Sequence, residues 1–157
     1  MGFVSFIGRV LFSAIFILAA WQKIQDFGVD GGGALKSMEP KIELFRQHVQ
    51  ETLHFSLPVV EMKYLLMAAI GLEGLGGLLF TFGSSLGAYL LLIFLAAVTP
   101  IMHDFYNFDL TNPEYLFQFS QFLKNLSLFG ALLFFLGMKN SSYRQIRKKP
   151  PVKTKAQ

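Results

Sequence analysis

Residues 64–102 read YLLMAAIGLEGLGGLLFTFGSSLGAYLLLIFLAAVTPIM, and the one charged side chain among them is Glu73. Two apolar runs, 64–82 and 86–102, flank the polar break Gly83, Ser84, Ser85. Each run is close to the ~20 residues that cross a ~30 Å hydrocarbon core as a helix. A short break between two such runs predicts a tight antiparallel hairpin of membrane helices. Pro100 lies near the end of the second run, where a lost backbone hydrogen bond costs least.

Working outward, two more runs of the same kind appear, at 3–22 and 119–138. The chain as a whole is 53% hydrophobic, with 18 Phe, and only 15% charged. Soluble domains carry about 25% charged residues, so hydrocarbon must be the solvent for much of this surface. The expected fold is all-α: a four-transmembrane-helix bundle in residues 1–140. The run at 3–22 lacks a small-residue cleavage site and reads as a retained helix rather than a signal peptide. Phe6 stands where a myristoylation signal needs Ser or Thr. No internal repeat is present.

Between the first and second runs lies a long connection that starts with Gly31, Gly32 and Gly33. In residues 39–57, Ile42, Phe45, Val49 and Leu53 recur at helical spacing, with Lys41, Glu43, Arg46 and Gln47 elsewhere on the wheel. Pro40 suits a first helical turn. This segment is too polar to span and is expected to be an amphipathic interfacial helix. Residues 141–157 are basic, contain Pro150 and Pro151, and read as a disordered tail.

The net charge of +4 is segregated along the chain, which points to topology rather than to nucleic-acid binding. Lys139, Arg144, Arg147, Lys148, Lys149, Lys153 and Lys155 follow the fourth run with no acid among them. The positive-inside rule places that end in the cytosol, and four spans then place the N-terminus there too. Lys153 and Lys155 have the K-x-K-x-x spacing of a dilysine retrieval signal read by cytosolic coat proteins. That spacing predicts endoplasmic reticulum residence.

Charges inside spans cost ~2.5–3.5 kcal/mol each and call for a partner or a wet cavity. Arg9 and Glu73 stand at depths of roughly 9 and 14 Å from the same face by helical rise, so they are expected to form a buried ion pair. Toward the opposite face, Lys23, His103, Asp104, Lys124 and Asn125 are expected to gather into a polar site. Lys124 and Arg9 also have stems long enough to snorkel to headgroups. Gly71, Gly74, Gly76 and Gly77 around Glu73 read as close helix packing.

The search for chemistry yields no catalytic set. There is no Cys, and the three His at 48, 54 and 103 have no metal-ligand spacing. No cofactor motif is present.

Gly8-Arg9-Val10-Leu11-Phe12 with Trp21-Gln22-Lys23, Leu72-Glu73-Gly74, His103-Asp104-Phe105 and Leu123-Lys124-Asn125 fall in order on the four runs. Together they resemble the DoxX-like superfamily, and the whole chain is most similar to the plant HR-like lesion-inducing protein family. The resemblance implies a four-helix membrane bundle linked to hypersensitive-type cell death and plant defence. Some DoxX relatives are subunits of quinone-reducing oxidoreductases, others export receptors or partners of redox enzymes.

Two readings follow. The first is a non-enzymatic adaptor or complex subunit of the endoplasmic reticulum membrane, working through membrane-protein partners. The alternative is a redox subunit or a protein that binds quinone or lipid near Lys23, His103, Lys124 and Asn125. A closed bundle favours the adaptor, and a cavity reaching Glu73 and Lys124 favours the ligand site.

Overall fold

The computed structural model describes residues 2–148. Among them there are five α-helices and no strand: α1 (Phe3–Asp26), α2 (Gly32–Leu53), α3 (Met62–Thr81), α4 (Ser85–Met102) and α5 (Pro113–Lys148), with a short 3-10 turn at Phe105–Asn107. The helices α1, α3, α4 and α5 are long and apolar enough to cross a membrane. Their outward faces carry bare Leu11, Leu18, Trp21, Leu75, Ile93 and Phe134, a surface that only hydrocarbon tolerates at this density.

α3 packs most extensively, against α1 on one side and α4 on the other, and α5 packs on α4. Close backbone approach explains why α3 is the centre. A side-chain carbon at Gly87 of α4 would collide with the backbone of Phe80. Gly76 of α3 lies against Leu91, Gly77 against Ile17 and Phe16, and Gly74 against Ala20. Small residues let dispersion act between backbones where no hydrophobic effect drives helices together. The core then fills with Phe16, Phe80, Leu91, Leu95 and Leu132. Phe80 stacks edge-on to Phe135 at 4.8 Å.

The α3–α4 hairpin forms as its sequence predicts. Gly83 takes φ 79°, Gly83 N donates to Phe80 O at 2.8 Å and Ser84 N to Leu79 O at 3.0 Å. This pair of bonds is a Schellman closure, which needs a left-handed residue where Gly83 stands. At the same end, Lys139 Nζ of α5 donates to Gly83 O at 2.6 Å.

Two boundaries differ from the sequence expectation. α2 starts at Gly32, not near residue 39, so Pro40 lies inside the helix rather than in its first turn. The earlier start has a local cause: the Asp26 carboxylate accepts from Gly33 N at 2.6 Å. α2 also gains burial there, because Met38 packs with Ile42 and Leu66. Leu53, the last residue of the expected stripe, is 69% exposed. Secondly, α5 runs from Pro113 to Lys148, past both ends of the 119–138 run. Residues 141–148 are therefore helical and not a disordered tail. Pro150, Pro151, Lys153 and Lys155 lie outside the described residues.

Because Gly87 sits where backbone meets backbone, Gly87→Val should destabilise the bundle by about 1–3 kcal/mol through overpacking. Thermal unfolding in a mild detergent would show it. A control at Gly137, whose added carbon meets nothing within 4 Å, should leave the melting temperature unchanged.

Candidate functional site

α1 runs antiparallel to α3 in a register fixed by small residues. Ala20 lies against Gly74, and Ser13 Oγ is 2.6 Å from Thr81 Oγ1. This register brings the last turns of α1 level with Glu73. Lys23 Nζ donates to Glu73 Oε2 at 2.6 Å, with the Glu73 side chain 5% exposed and that of Lys23 29%. Arg9 lies on the same helix, about 18 Å along the axis from the level of Glu73 at 1.5 Å per residue. Two side chains cannot bridge that gap, so the expected Arg9–Glu73 pair is corrected to Lys23–Glu73. Arg9 itself is buried, at the end of the bundle where Ser13 donates to its carbonyl. Depths counted from the ends of the apolar runs bring Arg9 and Glu73 within reach, whereas the seating of Ala20 on Gly74 sets Glu73 level with the last turns of α1.

Beside the pair is a cavity of about 280 Å³. Phe16 and Ala19 of α1 and Asn125 and Leu128 of α5 flank it, while Phe94 and Glu73 come from the α4 and α3 floor. Ala34, Ser37 and Met38 of α2 close one end. α1 and α5 flank the cavity without packing on one another among the described residues. Phe94 also supports the ammonium of Lys23, which stands 5.9 Å from its ring centroid.

The expected polar site is partly assembled. Lys23, His103 and Asn125 all line this cavity, and Glu73 joins them. Asn125 Nδ2 donates to Thr99 Oγ1 at 3.2 Å, and His103 Nδ1 is 3.3 Å from Gln118 Oε1. Lys124 is exposed and does not line the cavity. A residue next to Asn125 on a helix points about 100° away, which puts Lys124 on the outer face.

Asp104 also belongs elsewhere. Its carboxylate takes Lys41 Nζ of α2 at 2.7 Å and Asn107 Nδ2 at 3.1 Å. Lys41 also donates to Met102 O at 2.8 Å. It thus satisfies a carbonyl at the C-terminal end of α4, where a cation is favoured. The helical wheel of residues 39–57 sets Lys41 apart from the apolar stripe, yet its side chain faces the bundle. Its position one residue before Ile42 and three after Met38 was the available signal, since 38, 41, 42 and 45 share a face.

Chemically, the cavity offers a hydrophobic wall and a neutral ion pair with spare hydrogen-bonding capacity. An ammonium carries three donors, and one reaches Glu73. Among the described residues no three His, Asp or Glu side chains come together as a metal site.

The fold and site define a multi-pass α-helical membrane protein with a polar pair buried between its helices. A model of the family described as HR-like lesion-inducing matches residues 1–138. The chain belongs to that family. The matched residues cover α1 to α4 and α5 as far as Met138. No curated protein and no solved structure matches the chain.

Breaking the Lys23–Glu73 pair from either side should be costly. Lys23→Met or Glu73→Leu alone should destabilise by about 3 kcal/mol, the low end for stranding one member of a buried pair. The double variant should recover much of that loss. Arg9→Leu, made alone and combined with Glu73→Leu, should instead give additive losses. Unfolding in detergent at a fixed protein-to-micelle ratio measures all five variants.

Proposed function

We propose that this HR-like lesion-inducing protein binds a small, neutral, amphipathic molecule within its membrane bundle. The observation that carries the reading is the cavity of about 280 Å³ beside the Lys23–Glu73 pair. A carbonyl or hydroxyl head would accept from or donate to that pair, and an apolar body would lie against Phe16, Phe94 and Leu128. A charged head would upset a pair that already neutralises itself. Quinones and neutral lipids have the required shape and polarity, and the DoxX-like resemblance supports the same class. The cavity reaches Glu73 but not Lys124, so it meets one half of the expected mark of a ligand site, and the bundle is open at Glu73 rather than closed as the adaptor reading expects.

Extraction of the protein purified in mild detergent, followed by mass spectrometry, tests the proposal. A quinone or neutral lipid should copurify near one equivalent. Ala19→Phe should expel it, since Ala19 lines the cavity and the new ring would occupy it. The same molecules at the same ratio in that variant would overturn the site.

We further propose that the protein resides in the endoplasmic reticulum, with both termini in the cytosol. The seven basic residues from Lys139 onward support that orientation. Residence is attributed to the K-x-K-x-x spacing of Lys153 and Lys155. Replacing both lysines by Ser should move an N-terminally tagged protein toward the Golgi and cell surface, by fluorescence microscopy. Glycosylation of Asn140 in cells would overturn the orientation.

A further inference from the structure

A second cavity, of about 270 Å³, lies beneath α2. Its walls come from α2, the connection at 57–60, α3 and α4, with no residue from α1 or α5. Met38, Ala69, Val98 and Met102 line both cavities and separate them. Every side chain lining the second cavity is apolar except Arg46.

Arg46 is poorly provided for in this setting. Its Nη1 donates to Glu43 Oε2 at 3.0 Å, one turn away on the same helix, and the Glu43 side chain is 66% exposed. Its Nε is buried and has no hydrogen-bond partner among the described residues. A buried donor without an acceptor is costly. A guanidinium offers donors in a planar fork that fits a carboxylate or a phosphate.

We propose that this cavity is a binding site for a single-chain anionic lipid. The carboxylate or phosphate head lies on Arg46, and the acyl chain runs into the space between Ile42, Leu65, Ala97 and Ile101. The size argues for one chain: a volume of about 270 Å³ falls just under the ~300–1,000 Å³ of pockets for drug-sized ligands. The charge argues for an anion, because the lone cation at the rim has an unused donor and its one carboxylate partner is largely in solvent. This site is independent of the Lys23–Glu73 cavity, which holds a balanced pair and calls for a neutral head.

The test is native mass spectrometry of the full chain in non-ionic detergent, titrated separately with oleate, oleoyl lysophosphatidate and oleyl alcohol. The two anions should bind at one equivalent and the alcohol about tenfold more weakly, as expected for loss of a charge-assisted hydrogen bond. Tighter binding of oleate or of lysophosphatidate identifies the head and supports the site in either case. Arg46→Gln should reduce the anions to the level of the alcohol. Glu43→Gln removes the competitor for Arg46 and should tighten anion binding by about threefold, the scale of an exposed ion pair. A gain of affinity cannot come from misfolding. Ala97→Phe should abolish binding, while Ala19→Phe, which fills only the other cavity, should not. Equal binding of alcohol and anions, or unchanged anion affinity in both Arg46→Gln and Glu43→Gln, overturns the proposal. Neither result would bear on the neutral ligand beside Glu73.

Discussion

α3 is held at backbone distance on two sides, and the rest of the bundle follows from that. Gly76 and Gly87 bring α3 and α4 together, while Gly74 and Gly77 admit α1. In lipid the hydrophobic effect between helices is absent, so such close contact is what dispersion can use. Because the glycines recur on α3, the sliding register of α1 against it is also set. That register decides which base meets Glu73. Glu73 lies in the same segment as the glycines, so packing and charge placement are specified by one stretch of seven residues, Gly71 to Gly77.

Much of the architecture was legible because hydropathy reports solvent directly. The four runs, the Gly83 hairpin and an amphipathic helix after the first span all stand in the structure. What one sequence carries poorly is relative register and azimuth. Arg9 and Lys23 are both bases on α1, and only the seating of Ala20 on Gly74 chooses between them. Lys124 and Asn125 are neighbours in sequence but face different surroundings. Asp104 was read with His103 for the same reason, yet the turn at Phe105–Asn107 directs it to Lys41. The start of α2 was missed because glycines are poor helix formers, while Asp26 stabilises that start from outside the helix.

The site follows from this geometry. α2 is attached to the bundle by an apolar contact at Met38 and Ile42 and by a charged one at Lys41. It closes one end of the space beside Lys23 and roofs the apolar space beside Arg46. A helix that is amphipathic in sequence thus borders two cavities, one beside the neutral Lys23–Glu73 pair and one apolar except for Arg46. The family description concerns lesions at the level of an organism, whereas the structure describes hydrophobic cavities bordered by a few polar groups.

Among the described residues, α1 and α5 flank the Lys23–Glu73 cavity without packing on each other. A guest entering between them arrives by two-dimensional diffusion within a leaflet, never passing through water. Its occupancy is then governed by its mole fraction among the surrounding lipids and not by its aqueous solubility. A molecule too insoluble to measure in the cytosol could saturate such a site.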